Sequence, residues 1–203
     1  MTRVAAVDIG TNSTRLLVAD VEGSGADAVV TQVQREMRIT RLGAGVDADR
    51  MLRPDAIERT VAVLREYGDI IERLGATQVR ATATSASRDA ENRDEFFEPA
   101  TEALHGVRPE LLSGEEEATL SFLGATAGLH EPTPYLVVDV GGGSTEFVVG
   151  TEKPEGLISI DIGCVRLTEQ FLHGDPPEPE ELSNAVSAVR DHLADVGREV
   201  PGI

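Results

Sequence analysis

Asp139 and Glu146 stand seven residues apart, on either side of Gly141-Gly142-Gly143-Ser144. Consecutive glycines let a backbone come close to a ligand, and successive N–H groups in such a turn form a concave anion site. Two hard carboxylates beside an anion nest can hold Mg2+ against phosphate oxygens. The competing reading is a glycine bulge between solvated acids. Against it, Asp139 interrupts the inner end of an apolar run, Leu136 to Val140. A second loop, Gly10-Thr11-Asn12-Ser13-Thr14, follows the apolar run Val4 to Ile9, in which Asp8 is embedded. On its own it reads as an ordinary polar turn. Placing Asp8 on Asp139, however, also places Gly10 on Gly141, Ser13 on Ser144 and Thr14 on Thr145. Such self-similarity marks two related lobes that open with the same device, and it moves both loops toward function. Neither loop is a Walker loop, because no G-x-x-x-x-G-K is present, and neither is a dinucleotide fingerprint, because a strand rather than a helix follows.

Other candidates are less decisive. Thr82 to Arg88 is a hydroxyl-rich strand end leading into a helix. It supports two readings: a helix-terminus phosphate site clamped by Arg88, or N-capping by Ser85 or Ser87 with Arg88 on the surface. Ser113 and Glu116 have the spacing of a capping box, which gives Glu116 a structural task. Glu117, beside it, is locally indistinguishable from an acid favouring the helix dipole. His105, His130, His173 and His192 lack metal-ligand spacing and read as surface residues. Cys164 reads as a small packing residue, and the acids of 175–181 as a solvated loop.

The elements that must position these groups can be placed from periodicity and turn chemistry. Val4–Ile9 with Leu16–Val21, and Leu136–Val140 with Glu146–Val149, read as two hairpins. Residues 29–39 read as a third strand, 78–84 as a fourth, and Ile158, Ile160 and Ile162 as a strand after the second hairpin. Helices are expected over 54–74, started by Pro54 and stopped by Gly75, and over 90–104, 114–127 and 182–196. Gly128 to Pro134 is the best linker, so the expected lobes are 1–127 and 135–203 joined by 128–134.

The chain has 203 residues, 18 basic against 36 acidic, a net charge of −18, and 3% aromatics with no Trp. That balance argues against nucleic acid, which needs clustered cations and stacking platforms. Residues 109–203 hold 4 basic and 18 acidic groups, so most of the negative charge lies in the second half. A single cysteine allows no internal disulfide, no apolar run approaches the length of a membrane span, and the N-terminal run ending at Asp8 meets a charge too soon for a signal peptide. A cytoplasmic protein without a membrane partner is the expectation.

Five motifs stand in a familiar order: Asp8-Ile9-Gly10-Thr11-Asn12-Ser13; Thr84-Ser85-Ala86 with Arg88; Ser113-Gly114-Glu115-Glu116-Glu117-Ala118; Asp139 to Glu146; and Gly163-Cys164-Val165-Arg166-Leu167-Thr168-Glu169. Over its whole length the chain resembles the exopolyphosphatase and guanosine pentaphosphate phosphatase family. The resemblance implies an α/β protein of two actin-like (ribonuclease H-like) lobes with mixed sheets. It implies hydrolysis of terminal phosphate from inorganic polyphosphate, or of the 5′ phosphate from guanosine pentaphosphate. It gives Glu117 the role of base on the attacking water, and Asp139 and Glu146 those of catalytic acids that hold Mg2+. Gly10, Thr11, Asn12, Ser13, Gly141, Gly142, Gly143 and Ser144 become phosphate loops, and Arg88 a phosphate-binding arginine.

Members of that family are longer, so the second lobe is expected to be incomplete where this chain stops at Pro201-Gly202-Ile203, with self-association, for instance as a homodimer, as a consequence. Two further readings accompany the leading one: a kinase or chaperone of the same fold, against which the Ser113–Ala118 helix start argues, and a non-catalytic polyphosphate or nucleotide sensor. The acidity predicts preference for short or Mg2+-complexed polyphosphate, because a long polyanion is repelled beyond a Debye length of about 8 Å.

Overall fold

The structure is a computed structural model and describes residues 1–25 and 28–200. It divides into two compact units, Met1–Leu111 and Leu112–Ile203. The final three residues, with which the expectation of an interrupted lobe was associated, lie outside the described part. The expected first lobe ran to 127; here the helix over 114–126 belongs to the second unit.

The first unit is built on strands β1 (Thr2–Ile9), β2 (Ser13–Glu22), β3 (Val29–Ile39), β4 (Gln78–Ala83) and β5 (Glu110–Leu111). Their order is β3-β2-β1-β4-β5, antiparallel among the first three and parallel from β1 through β4 to β5. Alternation in β1 turns Ala5, Val7 and Ile9 into the core, where Leu16, Val18, Ala81 and Ala83 join them. Short helices α1 (Val46–Asp49) and α3 (Ser85–Asp89) accompany the longer α2 (Pro54–Leu74) and α4 (Arg93–Ala103). Helix α2 starts on Pro54 and ends at Gly75, which adopts the left-handed conformation at φ 70° that glycine accepts without strain. Its buried face carries Val61, Leu64, Tyr67 and Ile71, and the Tyr67 hydroxyl donates to the Thr14 carbonyl at 3.0 Å.

The helix expected over 90–104 begins only at Arg93, and a separate short helix, α3, precedes it over Ser85–Asp89. Ala90 is extended, the Glu91 N–H donates to the Arg50 carbonyl at 2.8 Å, and the Asn92 side chain brackets Leu52, accepting from its N–H at 2.8 Å and donating to its carbonyl at 3.1 Å. These long-range bonds claim the segment for a loop.

The second unit places α5 (Gly114–Thr126) on one face of a three-stranded antiparallel sheet, β6 (Tyr135–Val140), β7 (Thr145–Gly150) and β8 (Pro154–Ile160), in the order β6-β7-β8. Ala118 and Phe122 of α5 pack on Val148, with Tyr135, Val137 and Leu157 around them. On the opposite face, α7 (Pro179–Glu199) brings Val196 to Ile160, Ile162 and the partly buried Phe147 and Val149. That cover does not reach β6, whose Leu136, Val138 and Val140 are 51%, 45% and 66% exposed. The strand expected to run through Ile162 ends at Ile160, because the Ile162 N–H turns back onto the Ile160 carbonyl at 2.8 Å and α6 (Cys164–Phe171) follows. No helix among the described residues is long and apolar enough to cross a membrane.

Candidate functional site

The two hairpin loops are superimposable in their bonding. The Gly10 N–H donates to the Ser13 carbonyl at 3.0 Å, and the Gly141 N–H to the Ser144 carbonyl at 2.9 Å. Asp8 lies opposite Arg15 in the β1–β2 register, and Asp139 opposite Glu146 in the β6–β7 register. The repeat seen in the sequence is therefore a repeat of backbone geometry.

In the first unit the loop is held from behind by the turn Thr40–Gly45. The Thr11 carbonyl accepts from Gly43 N–H at 2.9 Å, and the Asn12 carbonyl accepts from Thr40 and Arg41 N–H at 3.1 and 3.0 Å. Gly43 has no room for a side chain, since a Cβ there would lie 2.3 Å from Thr11 Cγ2. The Thr11 hydroxyl is buried and accepts from the Ala86 N–H at 3.2 Å, so it ties α3 to the loop. Neither Ser85 nor Ser87 caps α3. Thr84 is the N-cap, without a side-chain capping bond, and both serines are buried inside the helix. Arg88, in its last turn, is half-buried rather than on the open surface.

In the second unit the loop is held by the start of α6. The carbonyls of Gly141 and Gly142 accept from Cys164 and Val165 N–H at 3.0 and 2.9 Å, and that of Gly143 from Arg166 Nε at 2.9 Å. The peptide is planar, so N–H groups of Gly142, Gly143 and Ser144 point the opposite way. They donate to no acceptor among the described residues, which leaves three aligned donors for an anion. Cys164, expected as packing, is instead exposed at the first position of α6.

The acidic groups gather on the α5 face of the second sheet. Asp139, Glu146 and Ser159 form one cross-strand row through β6, β7 and β8. The Ser159 hydroxyl donates to Glu146 Oε1 at 2.8 Å, and the Ser121 hydroxyl of α5 donates to Asp139 Oδ2. Glu146 is only 1% exposed. Helix α5 crosses this row. At its start a Cβ on Gly114 would lie 2.7 Å from Ser159 Cβ, and seven residues later Ser121 meets Asp139. Seven helical residues rise about 10.5 Å, close to two strand spacings of about 4.8 Å each. The midpoint of that span, at Glu117 and Ala118, therefore falls over β7, the strand of Glu146. Glu117 is half-buried there, while Ala118 enters the core.

The expected capping box is present. Glu116 N–H donates to Ser113 Oγ at 3.2 Å, and Ser113 N–H to Glu116 Oε2 at 2.8 Å. Glu116 is thus committed to the helix end, and Glu117 is the glutamate turned along the row. The turn at Arg41–Gly45 is readable from its glycines, whereas sequence reasoning did not find Ser121 or Ser159. The available signals for these were a serine one turn after Glu117 and a polar residue inside Leu157–Ile160.

The strand order of the first unit, and the repetition of its hairpin in the second, are those of actin-like α/β proteins. Within that class the chain belongs to the Ppx/GppA phosphatase family, whose profile matches residues 17–202. It is 48% identical over 206 residues to "Exopolyphosphatase 2" of Mycobacterium tuberculosis, covering 99% of this chain and 65% of that protein. A crystal structure of an exopolyphosphatase-like protein matches 98% of this chain and 62% of its own at 42% identity, TM-score 0.91. The Aquifex aeolicus Ppx/GppA family member matches 96% of this chain and 62% of its own at 37% identity, TM-score 0.75. The chain thus spans just under two thirds of these relatives.

Proposed function

We propose that this chain carries the phosphate-binding and acid–base groups of an exopolyphosphatase, a hydrolase that releases terminal phosphate from inorganic polyphosphate. The observation that carries the reading is the Asp139–Glu146–Ser159 row beneath Glu117 and Ser121, on the hairpin whose loop presents three unpaired amides. The family and the names of its relatives supply the substrate class.

In this reading the Gly142–Ser144 amides take oxygens of the reacting phosphate, and the Gly10–Ser13 loop and Arg88 are the phosphate-binding groups of the first unit. Glu117 orients a water and accepts its proton as the oxygen attacks phosphorus, the task of a general base. Asp139 and Glu146 are an oxygen-only pair on one face, which suits a hard cation that keeps water and phosphate as its other ligands. Mg2+ held there would neutralise charge on the phosphoryl and leaving oxygens. Ser121 and Ser159 fix the two carboxylates by donating to their oxygens.

The test is Mg2+-dependent phosphate release from short polyphosphate and guanosine pentaphosphate in parallel, with Glu117→Gln as control. We expect release from polyphosphate, reduced about 10²–10⁴-fold in the variant, the usual contribution of a general base. Release from the nucleotide alone would replace the substrate, and no release from either by the folded chain would overturn the reading. Rates on chains of hundreds of units should fall below those on short ones, given the net charge of −18.

A further inference from the structure

We propose that Arg166 is a positioning residue for the Gly142–Ser144 anion nest, acting through the Gly143 carbonyl. The inference rests on the reading above for the identity of the anion, though not for the geometry.

A nest works only while its carbonyls face away from the ligand, because each C=O carries the partial negative charge that its N–H partner lacks. Three carbonyls must be turned outward. Those of Gly141 and Gly142 are taken by backbone N–H groups of Cys164, Val165 and Arg166, which almost any residue would supply. The Gly143 carbonyl is different: it accepts from a side chain, Arg166 Nε at 2.9 Å. The same rigid peptide unit carries the Ser144 N–H at its other end. Arg166 therefore fixes the third amide of the nest by holding the opposite end of its peptide.

Glycine makes this anchor necessary. The Gly143 ψ angle, with no Cβ beside it, can rotate at little steric cost. Rotation of that peptide would withdraw the Ser144 N–H and aim a carbonyl at the phosphate. The first unit needs no such side chain, since the equivalent Asn12 carbonyl accepts from two backbone N–H groups, those of Thr40 and Arg41. Gly163 makes the approach of α6 possible: a Cβ there would lie 2.3 Å from the Gly142 carbonyl carbon and oxygen.

The experiment separates positioning from charge. Arg166→Gln places an N–H donor the same number of bonds from Cα as Nε, without the charge. Arg166→Met has similar length and no donor. Binding of inorganic tripolyphosphate is measured by calorimetry, and the amide resonances of Gly143 and Ser144 are followed by NMR in the free protein. Arg166→Met should weaken binding by about tenfold, roughly the loss of one well-placed hydrogen bond. It should also shift and broaden both amides. Arg166→Gln should stay within about threefold of the unaltered chain, with both amides restored. Equal weakening in the two variants would overturn the proposal in favour of direct charge on the ligand. Unchanged binding and amides in both would overturn it outright. If the unaltered chain does not bind tripolyphosphate, the proposed function fails, while the amide comparison still decides whether Arg166 positions the loop.

Discussion

Behind Gly10–Ser13 stands a turn, and behind Gly141–Ser144 stands a helix. The hairpins in front share one backbone plan, down to the bond that closes each loop. They differ in what faces the half-buried aspartate of the first strand. In the first, Asp8 is opposite Arg15, so the pair is neutral; in the second, Asp139 is opposite Glu146, so the pair carries two negative charges. A neutral pair suits a loop that only binds an anion. A doubly negative pair repels an anion unless a cation lies between them. One register position thus separates the two copies of one template, an acid opposite a base in the first and an acid opposite an acid in the second.

Replacing the glycine that admits each support should break the two loops to different degrees. Gly163→Ala drives a Cβ into backbone atoms of Gly142 and Gly143 that have nowhere to go. We expect a loss of about 3 kcal/mol or more in urea unfolding, together with loss of tripolyphosphate binding. Gly43→Ala meets chiefly the Thr11 methyl, at 2.3 Å. It should cost about 1–2 kcal/mol, and Thr11→Ser, which removes that methyl and keeps the hydroxyl for Ala86, should recover most of it. Failure of this rescue would mean that the turn supports the first loop in some other way.

Smaller effects sharpen the contrast. Ser113→Ala removes the capping box that fixes the start of α5 and should cost about 1 kcal/mol. Glu146→Gln relieves like-charge repulsion across β6 and β7 while keeping the oxygen that accepts from Ser159. It should raise stability by about 0.5 kcal/mol while lowering Mg2+-dependent phosphate release, whereas Arg15→Gln should give no such gain. The smallest effect is a pH dependence. N–H groups of Glu178, His173 and Gly174 hold the Glu181 carboxylate below its ordinary range. A lowered carboxylate contributes stability that is present above about pH 4.3, the unfolded value, and is lost as pH falls through the folded value. Thermal unfolding should therefore drop more steeply below about pH 4.3 in the unaltered chain than in Glu181→Gln.

Much of this arrangement is legible in the sequence where the signal is local. Helix α2 begins and ends where Pro54 and Gly75 say it must, because each acts on its own backbone angle. The two loops are legible because each is a copy of the other. What stays hidden is set by partners distant in the chain. The break between α3 and α4 depends on Asn92 reaching Leu52, and no periodicity within 84–104 carries that information. Ser121 and Ser159 look like any serine until α5 is laid across the sheet. The placement of α5 itself follows from Ala118 and Phe122 meeting Val148, residues that no local pattern pairs.

The uncovered strip of Leu136, Val138 and Val140 has a colloidal consequence. An apolar edge strand invites a second chain to add to it, and here it lies in the half of the molecule that holds 4 basic and 18 acidic groups. Mutual repulsion keeps such edges apart only over the screening distance, about 8 Å in physiological salt and about 3 Å at 1 M. Salt, which ordinarily loosens charge-driven assemblies, should drive this protein together.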